Sequence, residues 1–498
     1  MKIIRLFLIL CVVLCVVSSC KKSEYVNLIP ADATFVAAVD MKKIAEKGDV
    51  ANSQLLGLMN GYMGLVVSGS DREKMEEIVS DPSKTGLDFT LPVYLFKTKN
   101  DCVGMVMNIN SESQFEDFVN MLSQQGLCSR PVEREGLKWS SLLEDIDFAY
   151  DESSVLLLTS LDEEGGAMSK VEINALYAAE EENTFQATTH FDKMSEQNKD
   201  VVIYSNMGVL PASFAKKMKT FLPSNVRNAD VEVIASLDFS AGKAVLQAEL
   251  YSENDKVQQA LSHGSDNFRK IEGRYIDSPA KDFFVWGCCG VQGEWLLNAL
   301  KQDEEIRQML FLLECGIDVE MMIKAIDGDV AVVLPNSFIT SDTNDLDYIV
   351  TANVGNTDFL ADVDYWRKSM KKFGIEMNTV GKDAYLLKTD GYELQWGVED
   401  DNLFFATPVA YRQNAFSPRS EVLRPYTNDI KNSILYLYVN LASLPLREIA
   451  TVTGMEGFLG DKLAGFESVI LRIEDTDKFE LSVCLKEKNK NFLETLLN

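Results

Sequence analysis

A chain that repeats its own plan has few ways to fold, and four segments of this one recur in a single order. Ile29 to Lys47, IPADATFVAAVDMKKIAEK, runs from Pro30 through an alternating strand, Phe35 to Val39, to Asp40 at the head of a helix. The stretch from Ser278, SPAKDFFVWGCCGVQGEWLLNAL, sets Pro279 and Phe284 at matching places, with Phe35 and Phe284 249 residues apart. From Val106 and again from Thr351, a strand passes through polar residues into an amphipathic helix closed by Gly126 or Gly374, 248 apart. Glycine is the residue that admits the left-handed turn of a helix C-cap. Phe115 and Phe359 are 244 apart, a difference of about one helical turn. VVIYSNMGVLP and ILYLYVNLASLP align Tyr204 with Tyr438, Asn206 with Asn440, Leu210 with Leu444 and Pro211 with Pro445, each pair 234 apart. Val233 to Leu250 parallels Val469 to Leu485, two alternating strands about a turn containing Gly or Asp, which is a hairpin signal. Repetition on this scale predicts an internal duplication, with copy 1 over 29–265 and copy 2 over 272–498, joined by a polar link from about His263 to Gly273.

Between the matched segments lie Gly136 to Leu143, Ile146 to Tyr150 and Val155 to Ser160, then Ala384 to Lys388, Glu393 to Val398 and Leu403 to Thr407, all short, alternating and turn-bounded. Such runs form antiparallel meanders. Together with capped helices they predict an α+β fold, two related copies of a mostly antiparallel sheet with helices packed on it. Apolar spacing predicts helices over Ser53 to Val67, Arg72 to Val79, Phe214 to Phe221, Glu304 to Cys315 and Val319 to Ile326. Asp40, Asn206 and Asn440 each end an apolar strand and precede an apolar pair three apart. Each is expected to act as a corner cap, its side chain accepting from the first free N–H groups of the next turn. Ser111 with Gln114 forms a capping-box pattern at another corner.

Composition narrows the function. In 498 residues, 48 Lys and Arg face 76 Asp and Glu, a net charge of −28. A surface that negative repels phosphate backbones and gains nothing from counterion release, so nucleic acid is excluded as a partner. The two histidines, His190 and His263, are too few for a histidine-rich metal site or a ready proton shuttle; both read as solvent-facing polar residues. Gly454 to Lys462, GMEGFLGDK, lacks the spacing and the hydroxyl of a phosphate-binding loop, and no G-x-S-x-G occurs. Ser341 to Asp347 supplies oxygens from Asp342, Asn344, Asp345 and Asp347 but has neither the glycine at the sharp turn nor the closing glutamate of a calcium loop, so it reads as a polar hairpin loop. Acidic pairs such as those in Glu180–Glu182 and Asp162–Glu164 are too common at this composition to mark catalysis. No cofactor or metal is expected.

The first twenty residues, MKIIRLFLILCVVLCVVSSC, place Lys2 and Arg5 before an apolar run from Leu6 to Val17, a secretory signal pattern too short to span a bilayer. Val17-Ser18-Ser19-Cys20 resembles a bacterial lipobox. That resemblance implies a signal peptide over 1–19, cleavage before Cys20, and acylation of its sulfur and its new amino group. Cys11 and Cys15 would leave with the signal, and so would Lys2 and Arg5, so 46 basic residues would face 76 acidic ones, a net of −30. Residues 20–28 are expected to form a short tether, which would keep the folded body near the membrane. Of the other cysteines, Cys102 and Cys128 flank one strand–helix unit and are the candidate disulfide pair. Cys288, Cys289, Cys315 and Cys484 read as small buried residues.

The lipobox, LIPADATFVAAVDMKKIAEK, the segment Asp81 to Phe96 (DPSKTGLDFTLPVYLF) and Ile326 to Pro335 (IDGDVAVVLP) together resemble a family of bacterial envelope lipoproteins known only as a domain of unknown function, number 4836. The resemblance covers nearly the whole mature chain and brings no activity with it. In Gly86-Leu87-Asp88-Phe89 a glycine permits a left-handed turn before a strand entered through Pro92. The second half lacks that insertion and passes directly from a helix to Asp327-Gly328-Asp329. In lipoproteins of this kind surface export goes with acidic residues just after the lipidated cysteine; Lys21-Lys22-Ser23 stand there, so the periplasmic face of the outer membrane is the expected location. The function expected is that of a non-enzymatic envelope binding or interaction module with a protein or glycan partner. The alternative is a lipid-anchored hydrolase of glycan or peptide working through acidic residues.

Overall fold

The structure, a computed structural model, describes residues 24–53, 56–57, 71–142, 146–161, 168–210, 226–263, 268–281, 283–314, 316–336, 347–389, 391–416, 418–444 and 464–498. The lipobox with Cys20, the stretch 341–346, Cys315 and the predicted helix over 214–221 lie outside the described residues, as does nearly all of the predicted helix over 53–67. Two compact units divide the chain at Tyr204/Ser205, with Lys47–Asp49 counted in the second. Helices and antiparallel sheet are mixed in both, an α+β fold.

The first unit is built on β1 (Phe35–Val39), β2 (Val93–Lys97), β3 (Cys102–Asn108), β4 (Val132–Arg134), β5 (Leu137–Leu142), β6 (Ile146–Tyr150) and β7 (Ser154–Ser160), while β8 (Val201–Asn206) leads out of it. Hydrogen bonds order the strands β8-β1-β2-β3-β7-β6-β5-β4, antiparallel from β1 to β4. The predicted meander is thus β5, β6 and β7. Helix Glu112–Gln124 buries Phe115 and Val119 against Phe148, Tyr150 and Val155, and the Phe115 ring meets Tyr150 edge-on with centroids 5.0 Å apart. Such an aromatic pair adds ~1 kcal/mol to its burial. The helix closes as predicted at Gly126, φ 73°, with Leu127 N–H donating to Leu122 O at 2.9 Å. Gly86, φ 82°, is required twice over: a Cβ there would stand 2.5 Å from both Phe115 N and Ser111 O, because its backbone packs directly on the start of that helix.

The second unit contains β9 (Glu232–Ser240), β10 (Lys243–Tyr251), β11 (Phe268–Arg269), β12 (Phe283–Gln292), β13 (Ile326–Pro335), β14 (Ile349–Val354), β15 (Glu376–Gly381), β16 (Ala384–Thr389), β17 (Tyr392–Glu399), β18 (Asn402–Ala406), β19 (Leu435–Asn440), β20 (Phe466–Asp475) and β21 (Lys478–Leu485). Their order is β9-β10-β21-β20-β19-β12-β13-β14-β18-β17-β16-β15, antiparallel throughout, with the short β11 pairing antiparallel with the end of β12. A core lies on each face. One holds Phe283, Trp286, Cys288, Tyr436 and Tyr438; the other holds Trp366, Trp396, Met370, Tyr385 and Val291. Adjacent Cys288 and Cys289 serve opposite faces, as strand alternation requires. Helix Val363–Lys372 lays Val363, Trp366 and Met370 on the second face and ends before Gly374, φ 76°, with the same closing bond as its counterpart, Ile375 N–H to Met370 O at 3.1 Å. The helix expected to reach Ile326 stops at Lys324, because Ile326 already begins β13.

Asp329 on β13 is fully buried and accepts from three successive backbone N–H groups, Glu272 at 2.9 Å, Gly273 at 2.9 Å and Arg274 at 3.1 Å. Gly273 at φ 89° turns the loop so that these donors converge, a backbone nest holding an anion supplied by the chain itself. The carboxylate thereby pins the segment carrying Ile271 and Tyr275 onto the first core face.

Three sequence expectations change. The tether expected over 20–28 is shorter, since Glu24–Leu28 is a 3₁₀ turn whose Tyr25 and Val26 are buried, with Tyr25 Oη donating to Pro92 O at 2.7 Å. Three buried residues, Tyr25, Val26 and Leu28, in a five-residue turn without helical or strand periodicity leave no pattern to read. Asn440 does not cap as Asp40 and Asn206 do. Asp40 Oδ1 accepts from Lys43 N at 2.9 Å and Asn206 Oδ1 from Gly208 N at 2.8 Å, whereas the buried Asn440 amide donates to Phe283 O at 3.1 Å and so ties β19 to β12. Cys102 and Cys128 are free thiols. Cys128 bridges to Leu142 of β5, and from there the sheet runs through β6 and β7 to β3 and Cys102. Four strand spacings amount to ~19 Å, far beyond the ~6 Å between Cα atoms that a disulfide spans.

Candidate functional site

A tight turn builds one wall of the most suggestive cleft. Strands β17 and β18 are joined through Asp400, φ 47°, and Asp401, φ 60°, both in the left-handed region that aspartate tolerates better than most residues. Asn402 locks the turn by donating from Nδ2 to Asp400 O at 2.8 Å and Glu399 O at 3.1 Å, while its Oδ1 accepts from Tyr275 Oη at 2.6 Å. Alternation along β18 puts Phe404 on the same face as Asn402, beside Thr351 of β14. The ring of Tyr411, from helix Pro408–Phe416, stacks on Phe404 with centroids 5.3 Å apart and planes 25° from parallel. Arg419 closes the far side. Its Nη1 donates to Ser278 O at 2.7 Å and to Asn414 O and Oδ1, both at 3.1 Å, and it forms no ion pair among the described residues.

The cleft encloses about 460 Å³ between these groups. Aromatic faces of Phe404 and Tyr411 offer stacking, Asn402 and Asn414 offer amides, and Arg419 keeps unused N–H donors in a chain of net charge −28. Burial, then the Glu399 carboxylate, raises the Tyr411 hydroxyl, so it is a donor at neutral pH. A flat apolar platform ringed by fixed donors and acceptors suits recognition of a polar ligand with a planar or ring face. A second cleft of about 520 Å³ lies in the first unit between helices Asp71–Ser80 and Glu112–Gln124, floored by Ile78, Phe118 and Met121 and rimmed by Lys74, Glu77 and Asp117. Its rim charges have mixed sign, and no group converges on its centre.

Elsewhere, burial moves several titratable groups out of their usual ranges. Glu232, at the start of β9, is pushed up to about 7 by burial, then by Glu253, and its Oε2 is enclosed with no hydrogen-bond partner. Asp477 is also raised by burial. The Cys288 thiol lies well above its ordinary range and Cys289 is pushed up to about 12, both chiefly through burial, so neither is a reactive thiolate. The raised Glu232 means that the folded state holds its proton more tightly than the unfolded chain. Stability from this group is therefore present in acid and is lost as pH rises from ~4.5 through ~7. Thermal unfolding followed from pH 5 to pH 8 is expected to show a smaller fall in Tm for Glu232→Gln than for the unchanged chain, with the variant the more stable at pH 8. Parallel curves would refute the shift.

Residues picked out in the sequence do not line the cleft. His190 begins helix Thr189–Ser195 and stacks on Tyr204 with centroids 4.4 Å apart, so it is half-buried and not solvent-facing. His263 ends helix Asp255–His263. Of the calcium-like loop only Asp347 is described, and its Oδ1 accepts from Thr407 Oγ1 at 2.7 Å. Tyr275, Asn402, Tyr411 and Arg419 escape a sequence reading because Tyr275 is 127 residues from Asn402 and the other three sit on a strand, the helix after it and the loop beyond, with no common period; Asp400-Asp401 between two alternating strands is the one local signal, and it marks a turn and not a site.

A mixed α+β sheet protein with a surface cleft is the class these features define. The family model described as Domain of unknown function (DUF4836) matches residues 25–493, and the chain belongs to that family. Among solved structures, crystal form IV of TP0453 is similar at 12% identity over 45% of this chain and 79% of that one, with a TM-score of 0.27. Crystal form III of TP0453 is similar at 12% identity over 50% and 89%, with a TM-score of 0.26. A search of curated proteins gave no significant match.

Proposed function

We propose that the protein is a lipid-anchored binding module of the bacterial envelope, a duplicated α+β body that engages a protein or glycan partner through the Tyr275–Asn402–Tyr411–Arg419 cleft. The observation that carries the reading is the convergence there of stacked aromatic rings, orienting amides and an arginine without an ion-pair partner among the described residues. Attachment rests on the lipobox at Cys20. With Tyr25 already buried, about four residues would separate the acyl chains from the body, a reach of ~14 Å. Retention on the periplasmic face of the outer membrane follows from Lys21-Lys22 after the lipidated cysteine.

Duplication is supported by strand order. β8-β1-β2-β3-β7-β6-β5-β4 corresponds one for one to β19-β12-β13-β14-β18-β17-β16-β15, and each series is followed by a hairpin, β9–β10 or β20–β21. Eight strands in one non-sequential order, with matching glycine C-caps at Gly126 and Gly374, are hard to reach twice independently.

The test is photo-crosslinking in cells. A photoreactive residue at position 414 is expected to give a discrete adduct that the same probe at the exposed Tyr365 does not, and Arg419→Ala is expected to reduce it ~10-fold, the effect of removing a charge-assisted hydrogen bond. Equal adducts at both positions, or none at 414, would remove the cleft as the binding surface. The hydrolase reading draws its support from Glu232, a carboxyl held near neutrality beside Glu253, the pattern of an acid–base pair. Under that reading Glu232→Gln abolishes release of glycan or peptide fragments; under the binding reading it leaves partner capture intact.

A further inference from the structure

Away from that cleft, a smaller cavity of about 190 Å³ opens over β10, β20 and β21 in the second unit. Two features of its lining are unexplained by the fold. Tyr436 is 1% exposed and lines the cavity, and its hydroxyl has no hydrogen-bond partner among the described residues. Tyr426 stands beside it, ring centroids 6.5 Å apart, with its hydroxyl likewise unpaired. Burial raises both phenols, so each carries its proton at neutral pH and is available to donate. The second feature is Arg472, whose side chain is 18% exposed. Of its five N–H donors only Nε is used, to Ser433 Oγ at 3.3 Å. Asp429 at 3.9 Å and Glu474 at 3.5 Å partly balance its charge but accept no hydrogen bond from it.

Two more cations border the cavity: Lys243, which forms no ion pair among the described residues, and Lys488, which pairs with Glu467. The carboxylates on the lining are Asp429 and Glu480, and Glu480 is engaged by Gln247 Nε2 at 3.0 Å and lies 3.4 Å from Ser482 Oγ. Here a planar guanidinium whose two terminal nitrogens donate no hydrogen bond among the described residues, two phenolic hydroxyls and a lysine border one space beside the Asp429 and Glu480 carboxylates. A guanidinium fork matches the paired oxygens of a carboxylate or phosphate. We propose that this cavity is a binding site for a small oxyanion, a carboxylate or phosphate group clamped by Arg472 and oriented by the Tyr436 and Tyr426 hydroxyls. The negative chain gives such a ligand no long-range attraction, so recognition depends on these contacts.

Calorimetric titration of the full chain at constant ionic strength, once with sodium phosphate and once with sodium acetate, tests the site. Saturable binding of either anion with a dissociation constant in the millimolar range or tighter is expected. Phosphate alone identifies a phosphorylated ligand, acetate alone a carboxylate, and both a general oxyanion site. Tyr436→Phe removes one oxygen that bonds nothing in the fold, so it should leave the Tm of the ligand-free protein unchanged while weakening the bound anion ~10-fold. Arg472→Gln should remove binding altogether. Absence of saturation with both anions, or undiminished affinity in Tyr436→Phe, overturns the assignment.

Discussion

Cys20→Ala is expected to abolish incorporation of labelled fatty acid and to leave the signal peptide attached. The thiol is the acyl acceptor in the proposed anchor, and serine or threonine nearby cannot replace it, because only a thiolate is both nucleophilic enough and soft enough for that transfer. Two or more acyl chains hold a protein on a membrane where one does not, at ~0.8 kcal/mol for each buried methylene. The variant should therefore persist as an uncleaved precursor that carries no acyl chains. Fatty-acid labelling of the variant at the level of the unchanged protein would end the lipoprotein reading.

The largest effect expected inside the fold is at Asp329. Replacing it with alanine strands three backbone N–H donors of the loop 272–274, each now paired to a carboxylate that is itself fully buried. Each orphaned donor costs about 1–3 kcal/mol, less whatever the loop recovers by peeling towards water, so roughly 3–5 kcal/mol is lost in all. At ~2–4 °C for each kcal/mol, Tm should fall on the order of 10 °C. Asp329→Asn is the informative partner: it keeps the shape but sets an NH₂ group against N–H donors, so it should recover little of the loss. A change in Tm below about 2 °C for Asp329→Ala would show that the loop finds other acceptors and that the nest does not hold it.

Strands and helix ends were legible where the chain states them locally. The run Val155 to Ser160 alternates and is β7; Gly126 and Gly374 end helices because a left-handed residue is needed there whatever surrounds it. Asp40 and Asn206 cap because the acceptor and the free N–H groups lie within three residues of each other. Asn440 has the same local setting and a different fate. Its burial between β19 and Phe283 puts a distant carbonyl within reach of its amide, and no neighbour in sequence reports that. Tyr25 likewise looks like tether until Pro92 O appears beside its hydroxyl. Cys102 and Cys128 are close along one strand–helix unit, yet β5, β6 and β7 insert between them.

The sequence by itself determined the α+β class, the antiparallel meanders, the repeating order of segments and the net acidity, because each depends on residue type, period or charge alone. Tertiary structure decided where the chain divides. The β9–β10 hairpin, which the repeat counts with the first copy, pairs along β21 from Lys243 opposite Cys484 to Glu249 opposite Lys478 and so belongs to the second unit. A lone hairpin is marginal in water and its open edge seeks a partner, and which edge it meets is set by packing and not by its own residues. The same holds for the cleft, where Tyr275 meets Asn402 from 127 residues earlier in the chain, and for the cavity around Tyr436 and Arg472, whose lining runs from Ala241 to Lys488: only the folded sheet brings these side chains together.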